Sequence, residues 1–321
     1  CTIGGVVANN SSGMTCGTVA NTYQTLDSMI FVLPSGTVVD TADPGAEDRL
    51  AADEPALHAT LLELREQAMA HHAEDIRRRW SMKNTMGYGL NSLIDHESAV
   101  KILEHLVIGS EGTLGFIAEA TFHTVPSHPH VSTGLLMFNS LLEATRALPD
   151  LVSSGAAVIE LLDEASLQVC REDPNVRVIP NEPVKGESAL LVEYEAAEAD
   201  ELQAEVDRAR EAFEGLSLRD KPMLTSQPGP RAEMWALRKG LFTKVAEARR
   251  PGTTALLEDI AVPVRTLAPV CERLQELFER HEYGDAVIFG HAKDGNIHFM
   301  INEDFNSTES LPRYEACLLY T

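Results

Sequence analysis

No stretch of the 321 residues runs apolar for the roughly 20 residues that a membrane-spanning helix needs. The five cysteines (Cys1, Cys16, Cys170, Cys271, Cys317) are scattered and never spaced Cys-x-x-Cys. They imply neither a disulfide framework nor an iron–sulfur site, and a reducing cytoplasm is the default compartment. Gly-x-Gly-x-x-Gly is missing, and so is a phosphate loop ending in Gly-Lys-Ser/Thr, which disfavours a nicotinamide Rossmann domain and a P-loop enzyme. Positive charge is scarce: 26 basic residues stand against 49 acidic ones, a net charge of −23. That balance argues against a nucleic-acid partner, which would demand a basic footprint. An acidic field also repels an anionic substrate, so local cations would have to recruit one. No signal peptide, internal repeat or low-complexity tract is visible. The apolar fraction of 44% is that of an ordinary globular protein.

Chemistry concentrates near the C-terminal end, in Gly290-His291-Ala292-Lys293-Asp294-Gly295-Asn296-Ile297-His298. Apolar runs flank Asp294-Gly295, a dipeptide suited to a type I′ hairpin turn. Counting outward from a two-residue loop, Lys293 faces Asn296, Ala292 faces Ile297, and His291 faces His298. The imidazoles become a cross-strand pair with Cβ atoms roughly 5 Å apart, a spacing suited to one divalent metal. The plain alternative is a half-buried hairpin that carries two histidines.

The segments 28–33 and 37–41 read as a hairpin, 54–79 and 97–106 as helices, and the run after Gly115 as a strand. Pro126 and Pro129 mark a domain boundary, giving domains 1–126 and 127–321. Beyond it, helices 141–151, 199–213, 231–249 and 267–281 alternate with strands 157–161, 189–194 and 254–260. This pattern predicts an α+β fold, a sheet of ferredoxin-like type covered on one face. Residues 2–13 and 109–115 are loops of small residues whose main-chain N–H groups could approach a phosphate or a ring system. The chain starts inside one of them and ends abruptly, so both ends read as cut.

Ile3-Gly4-Gly5, Asn9 and Gly13, with Gly109-Ser110-Glu111-Gly112-Thr113-Leu114-Gly115-Phe116-Ile117, resemble the FAD-binding PCMH-type domain of vanillyl-alcohol-oxidase flavoproteins. The final hairpin resembles the cap domain of the D-2-hydroxyacid dehydrogenase branch. Residues 83–88 and 288–291 are most similar to the large bacterial FAD/iron–sulfur members, where D-2-hydroxyglutarate is the substrate. The resemblance implies a partial PCMH-type FAD-binding domain followed by a truncated FAD-linked oxidase C-terminal domain. It implies that Ile3, Gly4, Gly5, Asn9, Gly13, Gly109, Ser110, Glu111, Gly112, Thr113, Gly115 and Ile117 contact FAD. Arg238, in a Trp-x-x-Arg helix, would clamp the substrate carboxylate, with Lys244 as second choice. His291 and His298 would be catalytic and hold a metal, zinc before manganese or iron, that orients a D-2-hydroxy acid for hydride transfer to flavin. At Leu257 the family often has a lysine, so specificity does not carry over from those members.

The family also has an earlier glycine-rich loop for the FAD pyrophosphate. A Glu-His pair that supplies a third ligand, and any iron–sulfur module, would lie downstream. The expected partners are a small 2-hydroxy acid and an unidentified electron acceptor, with a homodimer left open. The expected location is the cytoplasm, with peripheral attachment to the inner membrane as a variant. Two alternatives stand beside this: a metal-dependent hydrolase using His291 and His298, and a non-catalytic fragment. His71, His72, His123, His128 and His130 read as surface or linker residues. Glu193 and Glu195 are expected to face solvent, and Trp80 beside Arg77, Arg78 and Arg79 reads as a basic helix end.

Overall fold

A computed structural model describes residues 2–84, 87–173 and 176–318, and the chain separates into two units, Cys1–Pro126 and Ser127–Thr321. The segment 83–88, which carries part of the resemblance, falls partly outside the described residues, at 85 and 86. In the first unit, strand β1 (Leu26–Val32) pairs antiparallel with β2 (Val38–Asp40) and with β3 (Phe116–Phe122). Leu26, Met29 and Phe31 turn inward from β1 and pack with Val39, Leu61, Ile102 and Leu103.

Two elements of this unit differ from the pattern-based expectation. Residues 54–79 form two helices, Pro55–His71 and Ala73–Trp80, because the backbone leaves helical geometry at His72. The first glycine-rich segment is a helix, Ile3–Asn9, where a loop was expected. Thr2 accepts a hydrogen bond from Gly5 N and caps it, which outweighs the poor helix propensity of two glycines.

The second unit is built on a seven-stranded sheet, antiparallel throughout. Its strands are β4 (His130–Phe138), β5 (Val158–Leu162), β6 (Ser188–Ala196), β7 (Met223–Thr225), β8 (Thr254–Ala261), β9 (Val287–His291) and β10 (Asn296–Glu303). They run in the order β7-β4-β6-β5-β9-β10-β8. Side chains alternate across it, so Leu136, Ile159, Leu190, Val192 and Phe299 face one layer of helices. Leu135, Leu162, Leu191, Phe289 and Met300 face another, formed by Leu167, Met234, Leu237 and Leu241. Helices therefore cover both faces, which corrects the one-face expectation. The central strands β5 and β6 are buried on both sides, and this is why they read as nearly continuous apolar runs.

Two expected helices are interrupted by backbone chemistry. The segment 231–249 divides into Pro228–Arg238 and Leu241–Ala248 at Gly240, whose φ is +81°. The segment 141–151 divides into Leu141–Arg146 and Leu148–Ser153, where Pro149 opens a new first turn. The short strand β7 and the helix Ser310–Leu318 carry too weak a periodicity to have been anticipated.

Candidate functional site

Strands β9 and β10 are joined by a 3-10 turn, Ala292–Asp294, and by Gly295 in the left-handed region. The connection is therefore four residues long, and the expected two-residue type I′ turn is not formed. Register follows from that length. His298 lies opposite Phe289, and His291 is not its direct partner. A displacement of two positions preserves the face to which each side chain points, so the two imidazoles still meet. Their ring centroids are 5.2 Å apart and the rings are nearly perpendicular. Lys293 steadies the turn by donating to Ala157 O at 2.8 Å.

Each histidine also faces a carboxylate on the neighbouring strand. His291 lies opposite Glu160 of β5, and its Nδ1 is 2.7 Å from Glu160 Oε1. His298 lies opposite Asp259 of β8, and its Nδ1 is 3.1 Å from Asp259 Oδ1. Asn296 Nδ2 donates to the same Asp259 oxygen at 2.5 Å and to Ile260 O at 3.0 Å.

The last residue of helix Pro228–Arg238 enters this row from above the sheet. Arg238 Nε donates to Glu160 Oε2 at 2.6 Å, and its guanidinium carbon stands 5.1 Å from the centre of the Phe289 ring. Only 8% of Arg238 is exposed, yet its Nη nitrogens donate to no described residue. Lys244, the second choice for a clamp, is held by Asp173 at 2.6 Å.

Glu193 is buried where exposure to solvent was expected. Trp235 Nε1 donates to its Oε2 at 2.7 Å, Thr133 Oγ1 donates to the same oxygen, and Arg231 Nη2 lies 3.4 Å away. The helix that carries Arg238 thus rests on two sheet carboxylates, Glu193 and Glu160. The sequence pattern assigns no role to Glu160, and by alternation along its strand Glu193 reads as a solvated charge. The available signal was a single acid inside an apolar strand, since carboxylates are seldom fully buried without a partner. Among the described residues no group of three or more His, Cys, Asp or Glu side chains could hold a metal ion.

In the first unit the two segments of small residues come together. Gly109 N donates to Val7 O, Glu111 N donates to Ala8 O, and Asn9 Nδ2 donates to Glu111 Oε1 at 2.7 Å. Gly4 packs beside Ile117, and Tyr88 Oη and Thr113 Oγ1 share a hydrogen bond. Ile3, Gly5, Asn9, Gly13, Glu111, Gly112 and Thr113 are exposed. Gly115 lies against Val32 O of β1. Ser110 Oγ is buried and has no hydrogen-bond partner, an orphaned donor and acceptor within the expected cofactor loop.

The second unit is thus an α+β fold, one antiparallel sheet with helices on both faces, and a separate small α+β unit precedes it in the chain. Residues 127–318 match the family model described as FAD linked oxidases, C-terminal domain, and the chain belongs to that family. Membership supports FAD as the cofactor and sets the hydrolase alternative aside. The chain is 25% identical to glycolate oxidase subunit GlcD of Bacillus subtilis, over 66% of this chain and 44% of that one. It is 24% identical to D-lactate dehydrogenase of Anaerostipes hadrus, over 92% of this chain and 52% of that one. The identity to D-2-hydroxyglutarate dehydrogenase of Pantoea ananatis is also 24%, over 92% of this chain and 30% of that one. The chain therefore spans about half or less of the length of these relatives. A solved structure of alkyldihydroxyacetonephosphate synthase superposes with a TM-score of 0.62 at 14% identity, over 99% of this chain and 52% of that one. For p-cresol methylhydroxylase the TM-score is 0.54 at 12% identity, over 96% and 56%. Both likenesses concern the fold. Among the described residues no helix is long and apolar enough to cross a membrane.

Proposed function

We propose that this chain carries the substrate-binding domain of a FAD-linked enzyme that oxidises a D-2-hydroxy acid to the 2-keto acid. One observation carries the reading: Arg238, His291 and His298 converge on one sheet face, held by Glu160 and Asp259. In this reading the Nη nitrogens of Arg238 bind the substrate carboxylate, a task for which a planar guanidinium fork is suited. That local cation also answers the difficulty of recruiting an anion to a chain of net charge −23. An imidazole Nε2 of the pair takes the hydroxyl proton as the C2–H bond breaks. Bound FAD would accept the hydride and so carry the redox chemistry. For that cofactor, the unpartnered Ser110 Oγ and the exposed turn at Glu111 and Gly112 are the features that fit.

A divalent metal on His291 and His298 is the finer form of this proposal. The two imidazoles supply two of the three protein ligands that catalytic zinc sites use, and no third joins them among the described residues. The proton transfer to Nε2 requires only the imidazole. Candidate substrates are glycolate, D-lactate and D-2-hydroxyglutarate, the acids named by the relatives. The test is reduction of an artificial electron acceptor by the flavin-loaded protein with glycolate and with the D and L forms of lactate and 2-hydroxyglutarate. Turnover confined to 2-hydroxy acids, with D preferred over L, is expected. Turnover of none of them overturns the reading.

A further inference from the structure

Glu160 has no exposed surface, and its two oxygens are bound by different members of the candidate site. Oε2 accepts from Arg238 Nε at 2.6 Å, and Oε1 lies 2.7 Å from His291 Nδ1. Because strands β5 and β9 set residues 160 and 291 directly opposite each other, this contact is fixed by the sheet ladder. Loop motion does not enter into it.

The chemistry of the three groups dictates where the protons sit. An ionised carboxylate can only accept, and a guanidinium can only donate. With Arg238 as one neighbour, Glu160 meets His291 as an acceptor, so Nδ1 of the neutral ring must carry the hydrogen. Its Nε2 then presents a lone pair. The same carboxylate fixes the guanidinium by its Nε edge, while the Phe289 ring at 5.1 Å supports its face. That leaves the Nη fork as the part of Arg238 able to meet a ligand.

We infer that Glu160 is the positioning residue of the site, a buried carboxylate that sets both the direction of the Arg238 fork and the tautomer of His291. It touches neither substrate nor cofactor, and acts through the two side chains it holds. His298 rests on a separate carboxylate, Asp259, which also accepts from Asn296, so its tautomer is independent of Glu160. The role of Glu160 in catalysis rests on the proposed hydroxyacid oxidation, but its effect on His291 does not.

Glu160→Gln separates the two. In this variant the side-chain amide oxygen must face the Arg238 donor, so the amide N–H₂ turns to His291 Nδ1 and forces that atom to accept. Long-range ¹H–¹⁵N correlation spectra of the imidazoles, with His291 assigned from the signal lost in His291→Gln, read the result directly. The expected outcome is Nδ1–H at His291 in the natural chain, Nε2–H in Glu160→Gln, and no change at His298. Glu160→Asp keeps a carboxylate and should keep the Nδ1–H form. In the flavin-loaded protein, kcat/KM for the 2-hydroxy acid should fall about 10- to 100-fold in Glu160→Gln and recover in part in Glu160→Asp.

An Nε2–H tautomer in the natural chain overturns the inference even if Glu160→Gln fails to fold, and so does an unchanged tautomer in that variant. Nδ1–H in the natural chain combined with no turnover of any 2-hydroxy acid would defeat the proposed reaction and leave the positioning role standing.

Discussion

The carbonyl oxygen of Val262 occupies the place where a side chain at Gly295 would begin, closing the β9–β10 connection against the end of β8. Gly295 has φ +68° and its carbonyl accepts from Val262 N at 2.9 Å, so the turn that places the two histidines is pinned on both sides. Gly295→Ala must both strain the backbone and displace Val262. It should cost about 3 kcal/mol or more. Thermal unfolding should show this as a midpoint lowered by roughly 6–12 °C. An unchanged midpoint would mean that the turn relaxes freely.

Arg238 is the proposed carboxylate ligand. Arg238→Lys keeps a positive charge but removes the fork and leaves Glu160 without its partner at 2.6 Å. A lost charge-assisted hydrogen bond costs about 1.5–3 kcal/mol, or roughly 10- to 150-fold in kcat/KM. Steady-state kinetics across 2-hydroxy acids should show that loss for every acid, whatever its side chain. A loss confined to one acid would move Arg238 from carboxylate recognition to side-chain selection.

Glu193 anchors the same helix through Trp235, Arg231 and Thr133. Glu193→Ala leaves buried donors without an acceptor, and a destabilisation of about 2–4 kcal/mol is expected. Denaturant titration followed by tryptophan fluorescence checks it. A midpoint equal to that of the natural chain would show that Trp235 finds another acceptor.

Asp163 caps helix Glu164–Arg171, accepting from Ser166 N at 2.8 Å and from Ile288 N at 2.7 Å. Burial pushes its carboxyl up from 3.8 to about 6, outweighing those hydrogen bonds. The folded state thus holds this proton more tightly than the unfolded chain. Its contribution to stability is complete below pH 3.8 and is lost as pH rises through about 6. The span amounts to about 3 kcal/mol. Asp163→Asn cannot titrate there, so its stability relative to the natural chain should rise between pH 4 and 7. A difference that stays flat over that range contradicts the assignment.

What the sequence made legible was the existence of most elements and the identity of the histidine pair. Apolar periodicity marked the long helices, and the Asp294-Gly295 dipeptide marked a turn close to its true place. The register could not be read, because a 3-10 turn and a type I′ turn need similar residues while placing different pairs opposite each other. His291 and His298 met in spite of that error, since a displacement of two keeps the face. Glu160 stayed hidden because His291 is 131 residues away along the chain. Asp259 is likewise distant from His298, and only sheet order brings each pair together. Glu193 was misjudged because alternation along β6 predicts which face it takes, but not that Trp235 covers that face. The helix at Ile3–Asn9 was lost to the weight given to two glycines over the Thr2 cap.

The central proposal is that this chain presents a 2-hydroxy acid to a flavin. Anaerobic absorbance of the FAD-loaded protein, recorded before and after one equivalent of glycolate, D-lactate or D-2-hydroxyglutarate, tests it most directly. Loss of the oxidised-flavin bands is expected with at least one D acid or glycolate, with no loss for L acids and a slowed loss in Arg238→Lys. Flavin that is retained and reducible by dithionite, yet left oxidised by every 2-hydroxy acid, would contradict it.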